Sequence, residues 1–225
     1  MNVAIVVAGG QSIRFGATRP KQFLELKRTP IIIHTLRQFE QSSQIDQIVV
    51  VLPVAEVPAF QALLDKFAVR KVSRTVGGGQ TRAHSVRNGL AVIESAAVVA
   101  VHDAVRPLVS VDEIDRVVAV AAETGAAILA APVSDTIKEV ADERILRTVT
   151  RAKLRRALTP QAFHFQILQR AYEELTETEA SGIDVTDDSF LVERLGVAVN
   201  YVEGHARNIK ITTPEDLLMA EALLS

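Results

Sequence analysis

Short β-branched apolar runs recur along this chain, with patterns of helical period between them. The runs are Val3–Val7, Gln47–Leu52, Arg70–Val76, Val98–His102, Ala127–Pro132 and, later, Val197–Val202. Such alternation argues for an α/β fold: a doubly wound, mainly parallel sheet with helices on both faces. Thr29-Pro30 reads as the N-cap and first-turn proline of a helix running toward Gln41. From Thr81 to Ile93, the residues Ala83, Val86, Leu90 and Ile93 fall on one helical face. Ser110-Val111-Asp112-Glu113 is a capping-box signature opening a helix to Thr124. Thr213-Pro214-Glu215-Asp216 starts a C-terminal helix whose leucines and alanines are expected to dock on the sheet. With 225 residues and 48% hydrophobic content, one domain over residues 1–225 can bury a full core. No repeat, linker or low-complexity segment interrupts it.

One segment breaks the rhythm. Thr136–Val140 and Ile145–Val149 are short alternating runs that flank the polar stretch Ala141-Asp142-Glu143-Arg144. Residues 135–150 therefore read as an inserted hairpin. A lone hairpin is marginal in water and must lie against something. A protruding arm exchanged between subunits is favoured over packing on its own domain.

The bulk numbers exclude several classes. A net charge of −2 argues against a general nucleic-acid or membrane-surface protein. The absence of cysteine removes disulfide and thiolate chemistry and matches a reducing compartment. Met1-Asn2-Val3 shows no basic n-region of a signal peptide, and no apolar run approaches the ~20 residues that cross a bilayer. A soluble, cytoplasmic protein is the expectation.

The first apolar run leads into Ala8-Gly9-Gly10-Gln11-Ser12-Ile13-Arg14-Phe15-Gly16, closed by Pro20-Lys21-Gln22. A buried strand entering a glycine-rich loop lets backbone N–H groups approach a polyphosphate. Arg14 and Lys21 add two positive charges with no acidic residue between them. The P-loop spacing does not fit, because five residues separate Gly10 from Gly16 and Ala17 follows. The dinucleotide fingerprint fails on spacing as well. The segment resembles the loop of nucleotidyltransferases that activate sugars and polyols.

Ligands of open α/β sheets sit beyond the carboxyl ends of the strands, and the polar clusters follow that rule. After the third run comes Gly77-Gly78-Gly79-Gln80-Thr81-Arg82-Ala83-His84-Ser85. After the fourth comes His102-Asp103-Ala104-Val105-Arg106-Pro107, and after the fifth Ser134-Asp135-Thr136 with Lys138 beyond. Leu158-Thr159-Pro160-Gln161-Ala162-Phe163, Thr186-Asp187-Asp188 and Asn208-Ile209-Lys210 complete the order. Over nearly its whole length the chain is similar to the 2-C-methyl-D-erythritol 4-phosphate cytidylyltransferases. The ribitol 5-phosphate cytidylyltransferases share several of these stretches. Pro132–Lys138 and Asp184–Asp188 tip the likeness toward the methylerythritol enzymes.

The resemblance implies a Rossmann-like nucleotidyltransferase fold, a homodimer joined through the hairpin arm, and CTP, a polyol phosphate and Mg²⁺ as ligands. It implies attack by a substrate phosphate oxygen on the α-phosphorus of CTP. Arg14 and Lys21 would stabilise the charge on the α-phosphate and pyrophosphate. Ala8, Gly9 and Gly10 would lie against the nucleotide, while Gly79, Gln80 and Ser85 frame cytosine. Asp103 and Ala104 would sit by the ribose, with Asp103 near a metal held mainly by the CTP phosphates. Lys210 would hold the incoming phosphate. Arg106, Thr136, Arg151 and Thr159 would bind the methylerythritol phosphate, with Thr186 on the same side and the partner subunit's arm region involved.

Several positions depart from the family pattern. Gln80 stands where an acidic residue is common, Gly77 adds a glycine to the motif, and Arg207 precedes Asn208. Blander readings also apply. Lone histidines such as His34, His84, His164 and His205 are more often structural than catalytic, and none has zinc-site spacing. His102 reads as a strand residue satisfied by a backbone partner, facing away from Asp103. Arg151–Arg156 reads as a solvated helix face, and Thr186–Ser189 as a helix cap. Two rival functions stand beside the main one: cytidylyl transfer to ribitol 5-phosphate, and CTP binding without turnover by a regulatory protein. Retention of both Arg14 and Lys21 speaks against the second.

Overall fold

The computed structural model describes residues 1–9 and 20–224. Gly10 and Arg14 of the first loop lie outside the described residues. Seven strands form the central sheet: β1 (Val3–Val7), β4 (Gln47–Leu52), β5 (Val72–Gly77), β6 (Val98–Asp103), β7 (Ala126–Pro132), β10 (Arg155–His164) and β11 (Asn200–Glu203). Their order is β11-β7-β10-β6-β1-β4-β5. Every pairing is parallel except those of β10, which runs antiparallel between β6 and β7.

Strand alternation sorts the core into two layers. Ala4 and Val6 face α1 (Ile31–Gln41), α2 (Val57–Lys66) and α4 (Val111–Thr124). Val3, Ile5 and Val7 face α3 (Arg82–Leu90), α5 (Phe165–Glu173) and α7 (Asp188–Arg194). Both sheet faces are covered, so the central strands are apolar throughout rather than alternating. Each fully buried valine or isoleucine contributes about 1.5–3 kcal/mol. Two further helices are α6 (Leu175–Ala180) and α8 (Pro214–Leu223). Among the described residues no helix is long and apolar enough to cross a membrane.

Both capping boxes form. Ser110 Oγ accepts from the Glu113 N–H while the Glu113 carboxylate accepts from the Ser110 N–H, and Thr213 and Asp216 do the same for α8. Thr81 caps α3 by accepting from the His84 N–H. The hairpin is present as β8 (Ile137–Ala141) paired with β9 (Arg144–Val149). Asp142 and Glu143 between them both have positive φ, as a type I′ turn demands. Residues 134–148 are all exposed.

Four expectations need correction. Thr29-Pro30 opens α1 one residue later than expected: Pro30 is the N-cap rather than a first-turn residue, α1 runs from Ile31 to Gln41, and Thr29 and Pro30 also form β3 (Thr29–Pro30), paired with β2 (Glu25–Leu26). Arg151–Arg156 is not a helix face, because one 3-10 turn (Arg151–Lys153) leads directly into β10. The late strand begins at Asn200 rather than Val197. Finally, α8 packs its Ala220 against Leu26, Ile31, Val105, Leu108 and Ile211, a satellite cluster beside the sheet rather than the sheet itself.

Candidate active site

The ends of β1 and β5 come together through glycines. A Cβ added at Gly9 would stand 2.8 Å from Ser85 Oγ, and one at Gly78 would stand 3.1 Å from the Gly9 Cα. Only glycine permits this approach of two backbones. Ser85, nearly fully buried, locks the crossing: its hydroxyl donates to the Thr81 carbonyl at 3.0 Å and accepts from the Gly79 N–H at 3.1 Å. Gln80 beside it is exposed. Ala8 is tied on both sides, its N–H to the Val51 carbonyl and its carbonyl to Nε2 of the buried Gln22 at 2.6 Å. Lys21 precedes Gln22 in the 3-10 turn Lys21–Phe23. Thus Gln22, which sequence reasoning passed over, anchors the segment carrying Lys21 to the end of β1.

The end of β6 is the electrostatic centre. Asp103 is buried and meets three cations: Arg82 Nε at 2.9 Å on Oδ1, Lys210 Nζ at 2.9 Å on Oδ2, and Arg106 Nε at 3.4 Å on Oδ2. Burial alone would raise its carboxyl, but Arg82, Lys210 and Arg106 together hold it well below the usual range. Arg106 also donates to the Asn208 carbonyl at 2.8 Å, and Asn208 Nδ2 donates to the Thr159 carbonyl at 2.9 Å. The segment bearing Lys210 is thereby fastened to β6 and β10. Ala104 is fully buried, its N–H bonded to the Val7 carbonyl and its carbonyl to the Thr35 hydroxyl.

His102 faces the other way, with its ring 5.0 Å from that of Phe39. Its Nε2 lies 3.2 Å from the Arg106 carbonyl and its Nδ1 2.9 Å from Thr159 Oγ1. A carbonyl only accepts, so Nε2 carries the proton and Nδ1 accepts from Thr159. The Thr159 oxygen in turn accepts from the Asp103 N–H at 3.3 Å. Burial, outweighing the pull of Asp103, lowers the imidazole to about 3. The expected backbone partner is therefore present in the Arg106 carbonyl, and the Thr159 hydroxyl adds a side-chain partner. Thr159 itself is buried and supports the strand end from beneath.

The structure brings together Ala8, Gly9, Gly79 and Ser85 at the crossing, and Asp103, Ala104, Arg106, Thr159 and Lys210 around the end of β6. Thr136 and Arg151 belong to the exposed arm and its base, where Arg151 donates to the Ser134 carbonyl. Thr186 is exposed and lies just before Asp187, the N-cap of α7. Sequence reasoning also missed Arg82 and Asp188, joined at 2.8 Å. The signal was there, since an arginine in the first turn of a helix opposes the helix dipole and needs an acidic neighbour.

This geometry has close relatives. The family model described as "IspD: 2-C-methyl-D-erythritol 4-phosphate cytidylyltransferase" matches residues 2–225. A 2-C-methyl-D-erythritol 4-phosphate cytidylyltransferase of Bacillus velezensis is 44% identical over 99% of this chain and 95% of its own length. One from Syntrophus aciditrophicus is 43% identical over 99% of this chain and 95% of its own. Among solved structures, the 4-diphosphocytidyl-2C-methyl-D-erythritol synthase of Anaerococcus prevotii superposes with a TM-score of 0.86 at 29% identity, covering 99% of this chain and 95% of the other. The cytidylyltransferase of Thermus thermophilus gives 0.78 at 32%, covering 99% and 98%. With a glycine crossing, a ring of cations on one aspartate and an end-to-end match, the chain belongs to the 2-C-methyl-D-erythritol 4-phosphate cytidylyltransferase family of nucleotidyltransferase enzymes.

Proposed function

We propose that this protein transfers CMP from CTP to 2-C-methyl-D-erythritol 4-phosphate, releasing pyrophosphate, as a step of non-mevalonate isoprenoid synthesis. The observation that carries this reading is the convergence of Arg82, Arg106 and Lys210 on Asp103 at the end of β6. The relatives named for the methylerythritol reaction favour that acceptor over ribitol 5-phosphate.

An oxygen of the acceptor phosphate attacks the α-phosphorus of CTP; a new P–O bond forms, and the bond to the bridging oxygen breaks with its electron pair leaving on pyrophosphate. A phosphate monoester has a second pKa of about 6, so the nucleophile is already anionic at neutral pH and needs no base. His102, buried with both ring nitrogens engaged, is not placed to serve as one. The obstacle is repulsion between anions, which positioned cations relieve. Three cations and two carboxylates in the Arg82, Arg106, Lys210, Asp103 and Asp188 cluster leave one net positive charge for the phosphates. In this proposal Lys210 and Arg106 meet the acceptor phosphate, and Lys21, with Arg14 of the undescribed loop, meets the triphosphate. Gly9, Gly10, Gly79, Gln80 and Ser85 form the nucleotide wall. Thr136, Arg151 and Thr186 reach the polyol.

The donor set bears on where Mg²⁺ would sit. Among the described residues no three His, Cys, Asp or Glu side chains cluster, and both Asp103 oxygens already face cations. These residues do not fit a protein-held metal centre, because an ion at Asp103 would meet three positive neighbours. Mg²⁺ belongs in this proposal to the nucleotide's own phosphate oxygens. The homodimer is proposed through the arm, whose Val140, Ile145 and Leu146 are each about three-fifths exposed. A cytoplasmic location is proposed from the cysteine-free composition.

The test is pyrophosphate release with CTP and Mg²⁺. Release is expected with methylerythritol phosphate and much more slowly with ribitol 5-phosphate. The opposite preference transfers the protein to the ribitol reaction, and CTP binding without turnover on either acceptor makes it a regulator. Lys21→Ala should lower kcat about a hundredfold, as loss of one transition-state contact commonly does; a near-normal rate removes Lys21 from the mechanism.

A further inference from the structure

Arg82 occupies the first position of α3, where the helix dipole disfavours a cation. Two carboxylates hold it there. Its Nε donates to Asp103 Oδ1 at 2.9 Å and its Nη2 to Asp188 Oδ2 at 2.8 Å. Asp188 is fully buried, and its Oδ1 accepts from the Tyr172 hydroxyl at 2.6 Å. Gln161 Oε1 accepts from the Asp188 and Ser189 N–H groups. A polar strut thus runs from β6 through α3 to α7 and α5. The mechanism proposed above uses Asp188 only in the charge balance of the cluster and gives Tyr172 no task.

We infer that Arg82 and Asp188 are positioning residues that set the acceptor-phosphate cation Lys210 through Asp103, an inference that rests on the proposed function. Asp103 can turn about its last bond, and its two oxygens are allotted differently: Oδ1 to Arg82, Oδ2 to Lys210 and Arg106. Fixing Oδ1 fixes where Oδ2 points. Lys210 ends a flexible four-carbon stem, so the place of its ammonium follows from that oxygen. Arg82 stays charged: burial pulls its pKa down, but Asp188 and Asp103 outweigh this and raise it. Buried ion pairs stabilise folds no better than well-packed apolar groups. A rigid second layer that orders a first is, by contrast, what precise alignment requires. An Arg82→Lys exchange would not reproduce the fork that spans both carboxylates.

The experiment compares wild type, Asp188→Asn, Tyr172→Phe, Lys210→Ala and the double variants built on Lys210→Ala. Asp188→Asn should lower kcat/KM for the acceptor by roughly tenfold or more while the KM for CTP moves less than about threefold, because one misplaced contact acts on alignment. Tyr172→Phe, which removes one oxygen, should show a milder, several-fold form of the same acceptor-selective loss. In the Lys210→Ala background each change should cost less than about threefold more, since residues acting through one group are not additive. Losses that multiply, or that fall equally on CTP, overturn the inference. If Asp188→Asn does not fold, Tyr172→Phe decides alone, and wild-type acceptor kinetics in it overturn the inference. Absence of wild-type turnover would instead defeat the proposed function and take this inference with it.

Discussion

His102 is bonded at both ring nitrogens beneath the end of β6, and that bonding makes the fold sensitive to pH. Folded, the ring stays neutral down to about 3; unfolded, it titrates near 6.5. The unfolded chain therefore binds the extra proton first. The stabilisation is whole above about pH 6.5 and is lost as pH falls toward 3, at up to about 1.4 kcal/mol per unit. His34 is shifted down chiefly by burial and adds in the same direction. Denaturant melts between pH 6.5 and 4.5 should show this slope, and His102→Gln, which keeps a donor and an acceptor without a titrating group, should remove most of it. A slope unchanged in that variant would show that other groups carry it. Asp103, held low by three cations, contributes fully above about pH 4 and loses that contribution progressively as pH falls below it. Residue identities in the site were legible mainly through the family resemblance: Gly9, Gly79, Asp103 and Arg106 sit at or just past strand ends, but Ser85 lies in the first turns of α3 and Lys210 in the segment after β11. The work of Thr159 was not legible, since nothing local to it says that His102 lies above its hydroxyl.

At the scale of elements, local signals were strongest where a side chain closes its own helix end. Ser110 and Glu113 satisfy donors at the start of α4, and Glu113 Oε1 also accepts from the His205 N–H at 2.7 Å. Ser110→Ala should destabilise the protein by about 1 kcal/mol, within the 0.5–2 kcal/mol span for lost caps, read as a lower urea midpoint with unchanged slope. No change would mean that water replaces the hydroxyl. Strand runs were equally clear for β1, β4, β6 and β7, whose residues are almost all buried. Thr29-Pro30 misled because a threonine before proline reads as a cap, while Lys27 and Arg28, both at positive φ, turn the chain so that Thr29 pairs with Leu26. No strand signal marks β10: charged Arg155 and Arg156 precede a buried stretch that mixes Thr159, Pro160 and Gln161 with Leu158, Ala162 and Phe163, and it does not alternate because the strand lies between two neighbours and is covered on both faces.

Across the whole molecule the hairpin arm has no core of its own, and residues 134–148 stand exposed. If arms cross between subunits, Arg151→Ala chains mixed with Lys21→Ala chains should recover turnover well above either variant alone. No recovery, with mixed dimers verified, would place Arg151 in its own subunit's site. Sequence alone determined the α/β class, the capped helices, the hairpin and the strand ends where the polar clusters gather, because period, capping and turn chemistry act over a few residues. Tertiary structure decided the rest: that β10 enters antiparallel, that Ser85 closes a glycine crossing 76 residues from Gly9, and that Arg82, Arg106 and Lys210 share one carboxylate. Those arrangements join residues distant along the chain, and only the packing of both helix layers on the sheet makes them neighbours.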